Sequence, residues 1–256
     1  MQTKFNKIYV LSLITNKDRQ EHIRLQFETL GINFEFIYGT DFYNFSKDAQ
    51  NNNILFPNMF KTNNTKVEFN IPKCFGCTLA HYNGVLFAYE LGYDNVLILE
   101  DDICFIKDIF KIYTLLNNLP NDADFITWDP RFLDGNEYNN CISLINKNIN
   151  YNFIELNNDY KNLIGGMMYG LMNRETMKLY LDNQRNFMNM SDHIEGIYEY
   201  PIVKRYICSK CICTDHININ KKFNEECLPY KNIYNDINKL NIDNFFIPEK
   251  FSLFTR

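Results

Sequence analysis

The sequence predicts an α/β protein, built on an open and mostly parallel β-sheet that is flanked by helices. The chain begins with a strand, a helix and a second strand within residues 8–38, which is the β-α-β unit of parallel sheets. Further on, a long helical pattern leads into the apolar segment 96–99 (VLIL), as expected of a strand buried on both faces. Three acids follow this strand directly, at the end where open α/β sheets bind their ligands.

The composition is that of a single globular domain spanning residues 1–256. Hydrophobic residues make up 46% of the chain and aromatic residues 16%, enough for a sizeable core. The net charge of −5 argues against a nucleic-acid-binding surface, which would carry a basic excess. No segment approaches the roughly 18 apolar residues of a membrane span, and the N-terminal segment lacks the cleavage site of a signal peptide. We therefore expect a cytoplasmic protein.

The first 41 residues account for the β-α-β unit. Residues 8–13 (IYVLSL) are an apolar run typical of a buried strand, and residues 15–18 (TNKD) have the turn and N-cap chemistry that starts a helix. Apolar residues at positions 23, 27 and 30 share one face of that helix, and Gly31 ends it. His22 and Arg24 are predicted to lie on its surface. Residues 34–38 alternate as in a second strand, which residues 39–41 (GTD) close.

The rest of the chain continues this pattern after one long interruption. Residues 42–72 carry asparagine clusters and two prolines without periodicity, so we expect an irregular insertion there. The next helix, 75–91, carries a row of small residues (Ala80, Gly84 and Ala88) that would allow close approach to the sheet. The other predicted elements are strands at 96–99, 124–128, 202–208 and 211–214, helices at 109–119 and from Asn173 to 181, a short helix after 193, an apolar run at 163–172, and an aromatic tail at 217–256.

The chain contains eight cysteines, and reduced thiols are expected in an intracellular protein. The spacings Cys74-x-x-Cys77 and Cys208-x-x-Cys211 would suit a tetrahedral zinc site. We favour the alternative that these cysteines are small buried hydrophobic residues, because neither pair has the glycine-rich context of a zinc knuckle.

Glu100, Asp101 and Asp102 are the strongest functional signal. Side chains alternate along an extended chain, so Glu100 and Asp102 are predicted to face one side and Asp101 the other. Two carboxylates in one cleft repel each other unless a cation lies between them. A hard divalent ion such as Mn²⁺ or Mg²⁺ fits, since it binds carboxylate oxygens together with substrate phosphates and would make a diphosphate a better leaving group. The alternative is a solvated turn that only ends the strand.

Several blocks of the chain resemble glycosyltransferase family 25, which includes lipooligosaccharide and lipopolysaccharide biosynthesis enzymes. The first is residues 8–13 with Asp18 and Arg19, and the second is FEFIYGTD at 34–41. FGCTLAHYNGVLFAYELGYDNVLILEDD at 75–102 is similar to the family's most distinctive signature, a Gly-Cys-x-x-Ser-His helix followed by an apolar strand and Glu-Asp-Asp. The last is MMYGLMNRETMKLYL at 167–181, followed by Ser191 and Asp192. Ala80 departs from the family's serine, and residues 190–192 (MSD) depart from its Pro-x-Asp turn.

The resemblance implies a GT-A-type, Rossmann-like fold, a nucleotide-sugar donor and inversion at the anomeric carbon. It makes the acidic triplet the motif that holds Mn²⁺ and the donor. Asp102 is then the direct metal ligand, and Glu100 contacts the ribose, the metal or a metal-bound water. Asp101 is an orienting or partly structural residue, counted with the catalytic group.

Four more residues are donor-side candidates. Ser12 and Arg19 belong to the first block, and Asp41 ends the second. A cation near a helix start, such as Arg19, is disfavoured by the helix macrodipole, so we expect its guanidinium to pair with a phosphate or with Asp41. His81 would bond the diphosphate or orient Asp101; a satisfied core histidine is the alternative.

An inverting transfer also needs a base that takes the proton of the acceptor hydroxyl. Asp192 is predicted as this base from its position in the last block; the alternative is an N-cap for a helix that starts at His193. His216, after the last predicted strand, is a candidate for an additional metal ligand; the alternative is an ordinary histidine at a strand end.

We therefore predict an inverting, divalent-metal-dependent glycosyltransferase. It would move a sugar, with galactose as the first candidate, from a UDP-sugar to a glycan or lipooligosaccharide acceptor. The alternative is a catalytically silent nucleotide-sugar-binding homologue or scaffold, for which the changes at Ala80 and near Asp192 leave room. A metal phosphohydrolase is disfavoured, because the chain lacks the ligands of a second metal. The aromatic tail offers either peripheral membrane contact or a packed terminal segment, and we favour the second.

Overall fold

The computed structural model describes residues 6–41, 71–127, 131–132, 153–156, 164–165, 169–184, 203–208 and 213–215. Its helices are α1 (Lys17–Leu30), α2 (Ile71–Glu90), α3 (Ile109–Asn117) and α4 (Arg174–Gln184). Its strands are β1 (Lys7–Leu13), β2 (Glu35–Gly39), β3 (Asn95–Glu100), β4 (Ile103–Phe105), β5 (Phe125–Thr127), β6 (Arg131–Phe132), β7 (Phe153–Leu156), β8 (Ile164–Gly165), β9 (Tyr169–Asn173), β10 (Arg205–Cys208) and β11 (Cys213–Asp215). Among the residues in these ranges, no helix combines the length and apolarity needed to cross a bilayer.

Seven strands form one mixed sheet in the order β2-β1-β3-β9-β5-β10-β7. β1 pairs in parallel with β2 and with β3, and β10 pairs in parallel with β5. β9 runs antiparallel to both of its neighbours, and β7 runs antiparallel to β10. Two further, two-stranded sheets are formed by β4 with β11 and by β6 with β8. The predicted α/β class is confirmed, and among the described strands the parallel pairs are β2-β1, β1-β3 and β5-β10.

One face of the sheet is covered by α1 and α3. The apolar stripe predicted for α1 at positions 23, 27 and 30 is buried, and it packs with the residues of β1 and β3 that point to the same side. Phe27 also makes an edge-on contact with the ring of Phe105, at 5.6 Å between centroids, which ties α1 to β4. The buried residues of this layer include Ile8, Val10, Ile23, Phe27, Leu30, Leu97, Leu99, Phe105, Ile112, Leu115 and Leu116.

The opposite face is covered by α2 and α4. A Cβ added to Gly84 of α2 would lie only 3.2 Å from Ile98 Cδ1 and 3.5 Å from Leu11 Cδ2, so even a methyl group there would require the Ile98 side chain to shift by a few tenths of an ångström. The small-residue row predicted on this helix therefore does permit the close approach. The buried residues of this layer include Tyr9, Leu11, Ala80, Val85, Ala88, Val96, Ile98, Met172, Met177 and Tyr180.

Two helix boundaries follow the local chemistry that predicts them. Gly31 ends α1 in the left-handed conformation, with φ of 61°, where an L-residue with a Cβ would be strained. Asn173 precedes α4, and its side-chain oxygen accepts a hydrogen bond of 2.9 Å from the backbone N–H of Thr176. Both predictions are confirmed.

Other features differ from the sequence prediction. His22 is buried rather than on the surface, because α1 is also covered by β4, and its Nε2 lies 3.7 Å from Cys104 Sγ. Arg24, as predicted, lies on the surface, where it pairs with Glu21 at 3.3 Å. The predicted insertion at 42–72 lies outside the described residues as far as 70, and α2 begins before Pro72, since the first turn of a helix tolerates proline. β4 and β7, of three and four residues, were not predicted.

Tyr9 of β1 supports a prediction about alkaline unfolding. Burial, followed by the charges of Glu35 and Tyr93, raises the pKa of Tyr9 from 10.0 to about 12. A group whose pKa is higher in the folded state stabilises the fold fully below its unfolded pKa, and this contribution is lost as the pH rises through the folded pKa. Between about pH 10 and pH 12, the unfolding free energy of Tyr9→Phe should therefore fall less steeply than that of the wild type.

Urea unfolding at a series of pH values measures this effect. Tyr38→Phe, at a side chain that is 48% exposed, is the matched control and should keep the wild-type decline. Equal slopes for the wild type and Tyr9→Phe would contradict the prediction.

Candidate active site at the carboxyl ends of β1 and β3

β1 and β3 end side by side at the point where the chain changes direction across the sheet. From β1 the chain passes through α1 to β2 on one side, and through α2 it later reaches β3 on the other side. The strands are parallel, with Leu11 paired to Glu100, so Ser12 and Asp101 follow at the same level. Crevices of this kind, outside the carboxyl ends of strands whose connections diverge, are where doubly wound α/β sheets bind ligands.

The Asp101 carboxylate is held by three side chains from β1 and α1. Ser12 Oγ donates to Oδ2 at 2.7 Å, and Asn16 Nδ2 donates to the same oxygen at 3.1 Å. Arg19 Nη1 donates to Oδ1 at 2.9 Å. The side chain of Asp101 is only 8% exposed, so these bonds replace the water that a charged carboxylate would otherwise need. Asp101 therefore joins the end of β3 to the start of α1.

Arg19 lies between two of the acids. Besides its bond to Asp101, its Nη1 is 3.8 Å from Asp102 Oδ2. Burial alone would lower the pKa of Arg19, but the charges of Asp101 and Asp102 outweigh it and raise the pKa above its ordinary value. A permanently charged guanidinium is thus fixed at the mouth of the crevice. The sequence predicted a phosphate or Asp41 as its partner and did not foresee the pairing with Asp101.

Asn16 and Gln20 are site residues that the sequence reasoning did not identify. Asn16 is the N-cap residue of α1, yet its side chain makes no cap hydrogen bond and reaches Asp101 instead. Gln20 is fully buried and donates to the backbone oxygen of Leu13 at 2.7 Å, which fixes the turn after β1. The only signal for Asn16 was its place in the predicted cap, and that signal pointed to a different role.

Glu100 faces the other helix layer. Its Oε1 lies 3.0 Å from His81 Nε2 and 3.6 Å from Cys77 Sγ, both on α2. The idea that His81 orients Asp101 is therefore wrong: alternation along β3 turns Glu100 toward α2 and Asp101 toward α1. Cys77 was not predicted here, although its spacing of four residues from His81 places the two on one helix face.

Asp102 departs from the predicted alternation. It was expected to face the same side as Glu100, but its carboxylate lies near Arg19 of α1, while Glu100 contacts α2. The reason is that β3 ends at Glu100, and residues 101–102 form a turn, so the two-residue period of the strand stops. The side chain of Asp102 is 7% exposed. We call residues 100–102 the acidic turn.

The chain after the acidic turn is held by Gln26 of α1. Its Nε2 donates to the backbone oxygen of Ile103 at 2.9 Å, and its Oε1 accepts from the backbone N–H of Phe105 at 2.8 Å. β11 pairs with β4, the short strand that follows the acidic turn, and places Asp215 opposite Ile103. The acidic turn is thus fixed at both ends, by the sheet before it and by Gln26 and β11 after it.

The comparisons with known proteins decide the family. The model of glycosyltransferase family 25 (LPS biosynthesis protein) matches residues 5–193, well over half of the chain. The chain belongs to glycosyltransferase family 25. It is accordingly a transferase that acts on a sugar donor and an acceptor, and the resemblance of its sequence blocks is confirmed.

Two solved structures are also similar to this family-25 glycosyltransferase. One is a glycosyltransferase involved in the glycosylation of the major capsid of PBCV-1, with 11% identity over 76% of this chain and 75% of that chain, at a TM-score of 0.38. The other is the mannosyltransferase Ktr4p from S. cerevisiae, with 13% identity over 75% of this chain and 62% of that chain, at a TM-score of 0.35. A comparison with curated proteins finds no match.

The predicted site residues of this glycosyltransferase fall into three groups. At the ends of β1 and β3, Ser12, Arg19, Asp101 and Asp102 come together, while Glu100 turns toward α2 and pairs with His81. Asp41 lies two residues beyond β2, the neighbouring strand of the parallel part. Asp192, His216 and Cys211 lie outside the described residues, so the zinc site that would need both CxxC pairs stays untested.

The acids differ in how well they fit a hard divalent cation. Asp101 fits poorly, because both of its oxygens already accept bonds from three side chains. Asp102 is the better candidate by position, because its carboxylate lies at the crevice beside Arg19, and Mg²⁺-like ions bind proteins through one or two carboxylates and complete their shell with water and substrate phosphates. Glu100 has its Oε1 engaged by α2, so it ranks behind Asp102 as a ligand.

Proposed function

We propose that this protein is an inverting, divalent-metal-dependent glycosyltransferase of the GT-A type that uses a UDP-sugar. The observation that carries the proposal is the convergence of Ser12, Arg19, Asp101 and Asp102 at the β1/β3 crevice in a chain of this family. Galactose is the first candidate for the transferred sugar. The acceptor would be a glycan or a lipooligosaccharide, in line with the family's description as an LPS biosynthesis protein.

The donor's diphosphate would bind beside Arg19. This guanidinium keeps its charge, because two carboxylates raise its pKa, and it lies in the first turn of α1, where helix N–H groups also favour anions. Asp101 would act indirectly, by holding Arg19 and Asn16 in place. Ser12, near the end of β1, and Asp41, two residues after the neighbouring parallel strand β2, remain candidates for contacts to the nucleotide.

Asp102 would be the main protein ligand of a Mn²⁺ or Mg²⁺ ion that arrives with the donor. When bound, such an ion supplies positive charge that makes the diphosphate a better leaving group. Glu100 would contact the ribose or a water in the ion's shell. His216 is proposed as a further ligand. The strand pairing supports it, because Asp215, the residue before His216, pairs with Ile103, the residue after Asp102.

Inversion requires a single displacement. The acceptor's hydroxyl oxygen would bond to the anomeric carbon while the bond from that carbon to the diphosphate oxygen breaks on the opposite side. The hydroxyl proton would pass to Asp192, which stays a candidate base from its place in the last sequence block. We place the enzyme in the cytoplasm, with peripheral contact to a membrane only where a lipid-linked acceptor requires it.

A mass-spectrometric panel of nucleotide sugars tests this function. The wild-type protein with Mn²⁺ should slowly release free sugar from one UDP-sugar, and the release should fall to background when EDTA removes the metal. Calorimetric titration with UDP, with and without Mn²⁺, separates the remaining outcomes. Tight UDP binding without turnover of any donor would indicate a silent sugar-nucleotide-binding protein, and absence of UDP binding would refute the proposed donor.

A further inference from the structure

We propose that Cys77, His81 and Glu100 form a second cation site, selective for Zn²⁺ or a similar soft divalent ion and separate from the ion that accompanies the donor. One ligand atom of each residue lies within 4.8 Å of the other two. Among the described residues, these are the His, Cys, Asp and Glu side chains that come together in a group of three at distances suited to a metal ion. The site shares Glu100 with the proposed donor site, and the two are tested by different measurements: cobalt absorption here and UDP binding there.

Within this group, which we call the zinc cluster, the two distances to Glu100 are close to those between neighbouring ligands of a tetrahedral zinc site, and the Cys77 and His81 ligand atoms lie within 4.8 Å of each other. His81 Nε2 and Glu100 Oε1 are 3.0 Å apart, and Cys77 Sγ and Glu100 Oε1 are 3.6 Å apart. Zinc bonds of about 2.3 Å to sulfur and about 2.0 Å to nitrogen and oxygen, at tetrahedral angles, give an N–O separation of about 3.3 Å and an S–O separation of about 3.5 Å. An ion would therefore need shifts of only a few tenths of an ångström in the two distances to Glu100, and of about 1 Å at most between Cys77 and His81.

The three ligands of the zinc cluster lie on regular secondary structure. Cys77 and His81 are four residues apart on α2, so they share one helix face, and Glu100 is the last residue of β3 in the sheet. The His81 side chain is fully buried, Cys77 is partly exposed, and the Glu100 side chain is 19% exposed. The cluster is thus shielded on the histidine side and open enough on the other for an ion and a water to enter.

Charge and donor type select the ion. Binding would convert the Cys77 thiol to a thiolate, with its proton released to the buffer and a bond formed from sulfur to the ion. One thiolate, one carboxylate and a neutral imidazole then balance the charge of a divalent ion, so the filled site is neutral and inexpensive to bury. Sulfur and nitrogen donors favour Zn²⁺, whereas Mn²⁺ and Mg²⁺ favour oxygen donors such as those of Asp102.

His81 Nδ1 is buried and has no hydrogen-bond partner among the described residues. Without an ion, His81 Nε2–H and the Cys77 thiol would both donate to Glu100, which is the alternative arrangement. The two arrangements differ in one measurable way: Cys77 is a thiolate when the ion is bound and a thiol when it is not.

Cobalt titration of the metal-free full-length protein tests the proposal. Co²⁺ occupies zinc sites and gives a thiolate-to-cobalt charge-transfer band only when a cysteine is a ligand. The wild type should show this band at one equivalent of Co²⁺, and added Zn²⁺ should abolish it. Cys77→Ser should lose the band, and Glu100→Gln should weaken Zn²⁺ binding at least about 100-fold, since outer-shell partners alone are worth about 10- to 100-fold.

Cys104→Ser is the matched control. Cys104 is also a thiol near a histidine, 3.7 Å from His22 Nε2, but it is not part of the zinc cluster, so this variant should keep the band. A band that survives in Cys77→Ser, or that is absent from the wild type, would overturn the proposal. UDP binding by the wild type would be unaffected by either outcome, so failure here is distinguishable from failure of the proposed function.

Alkylation of the unmodified protein gives a test that no variant's folding can disturb. Iodoacetamide labelling, resolved cysteine by cysteine by mass spectrometry, should slow at Cys77 at least about tenfold when Zn²⁺ is added, because a metal-bound thiolate is protected. Mn²⁺ should give no protection. Equal labelling of Cys77 with and without Zn²⁺ would refute the site.

Discussion

Asp102→Asn should lower the rate of sugar transfer by at least about 1,000-fold, equivalent to about 4 kcal/mol of transition-state stabilisation. The substitution keeps the size of the side chain and removes the negative charge that would bind the donor's cation. The fold should persist, because asparagine still offers a side-chain oxygen that accepts hydrogen bonds in the same place. Initial rates with saturating donor, together with circular dichroism of the variant, measure both parts of the prediction.

Asp94→Asn is the matched control for this experiment. Asp94 is exposed and precedes β3, at the opposite end of the strand from the acidic turn, so the same chemical change there should leave the rate within about twofold of the wild type. Wild-type transfer by a folded Asp102→Asn protein would remove Asp102 from the donor site. A loss of activity in both variants would point to a general effect of charge instead.

Asp101→Ala should lower the free energy of unfolding by about 3 kcal/mol, because it leaves the Arg19 guanidinium and two polar donors without their buried acceptor. The Arg19 side chain is only 19% exposed, so water replaces the lost carboxylate incompletely. Urea unfolding gives the value. Asp94→Ala, at the exposed end of the strand, should change stability by less than about 0.5 kcal/mol.

A double-mutant cycle separates this ion pair from other effects of the substitution. Arg19→Met removes the charge that Asp101→Ala would leave unpaired, so the double variant should be at least about 1 kcal/mol more stable than the sum of the two single losses predicts. Strict additivity would mean that the contact between Asp101 and Arg19 contributes nothing measurable, and Asp101 would then lose its assigned role in joining β3 to α1.

Local patterns explain which elements could be predicted. β1, α1 and β3 are each specified by a short segment with its own boundary signals: the apolar runs at 8–13 and 96–99, and Gly31 at the end of the helix. The direction of β9 could not be predicted, because an apolar run buried on both faces reads the same in parallel and antiparallel pairing. β4 and β7 are too short to show a period and depend on partners distant in the chain.

The same distinction applies to the candidate site. The acidic turn was identifiable, because three acids after a buried strand stand out against the apolar residues around them. Its internal geometry was not, since the turn breaks the alternation on which the orientation of Asp102 was based. Asn16 reaches Asp101 across 85 positions of sequence, and His81 reaches Glu100 across 19, and contacts of that kind leave no mark in local spacing.

A crystal structure of the protein soaked with UDP and Mn²⁺ tests most directly whether the crevice between β1 and β3 holds the donor. We expect the anomalous signal to place a manganese ion within bonding distance of a carboxylate oxygen of Asp102. The UDP diphosphate should bind the same ion and lie within hydrogen-bond distance of Arg19. Nucleotide and metal bound together at another place on the molecule, with the surroundings of Asp102 unchanged, would contradict it.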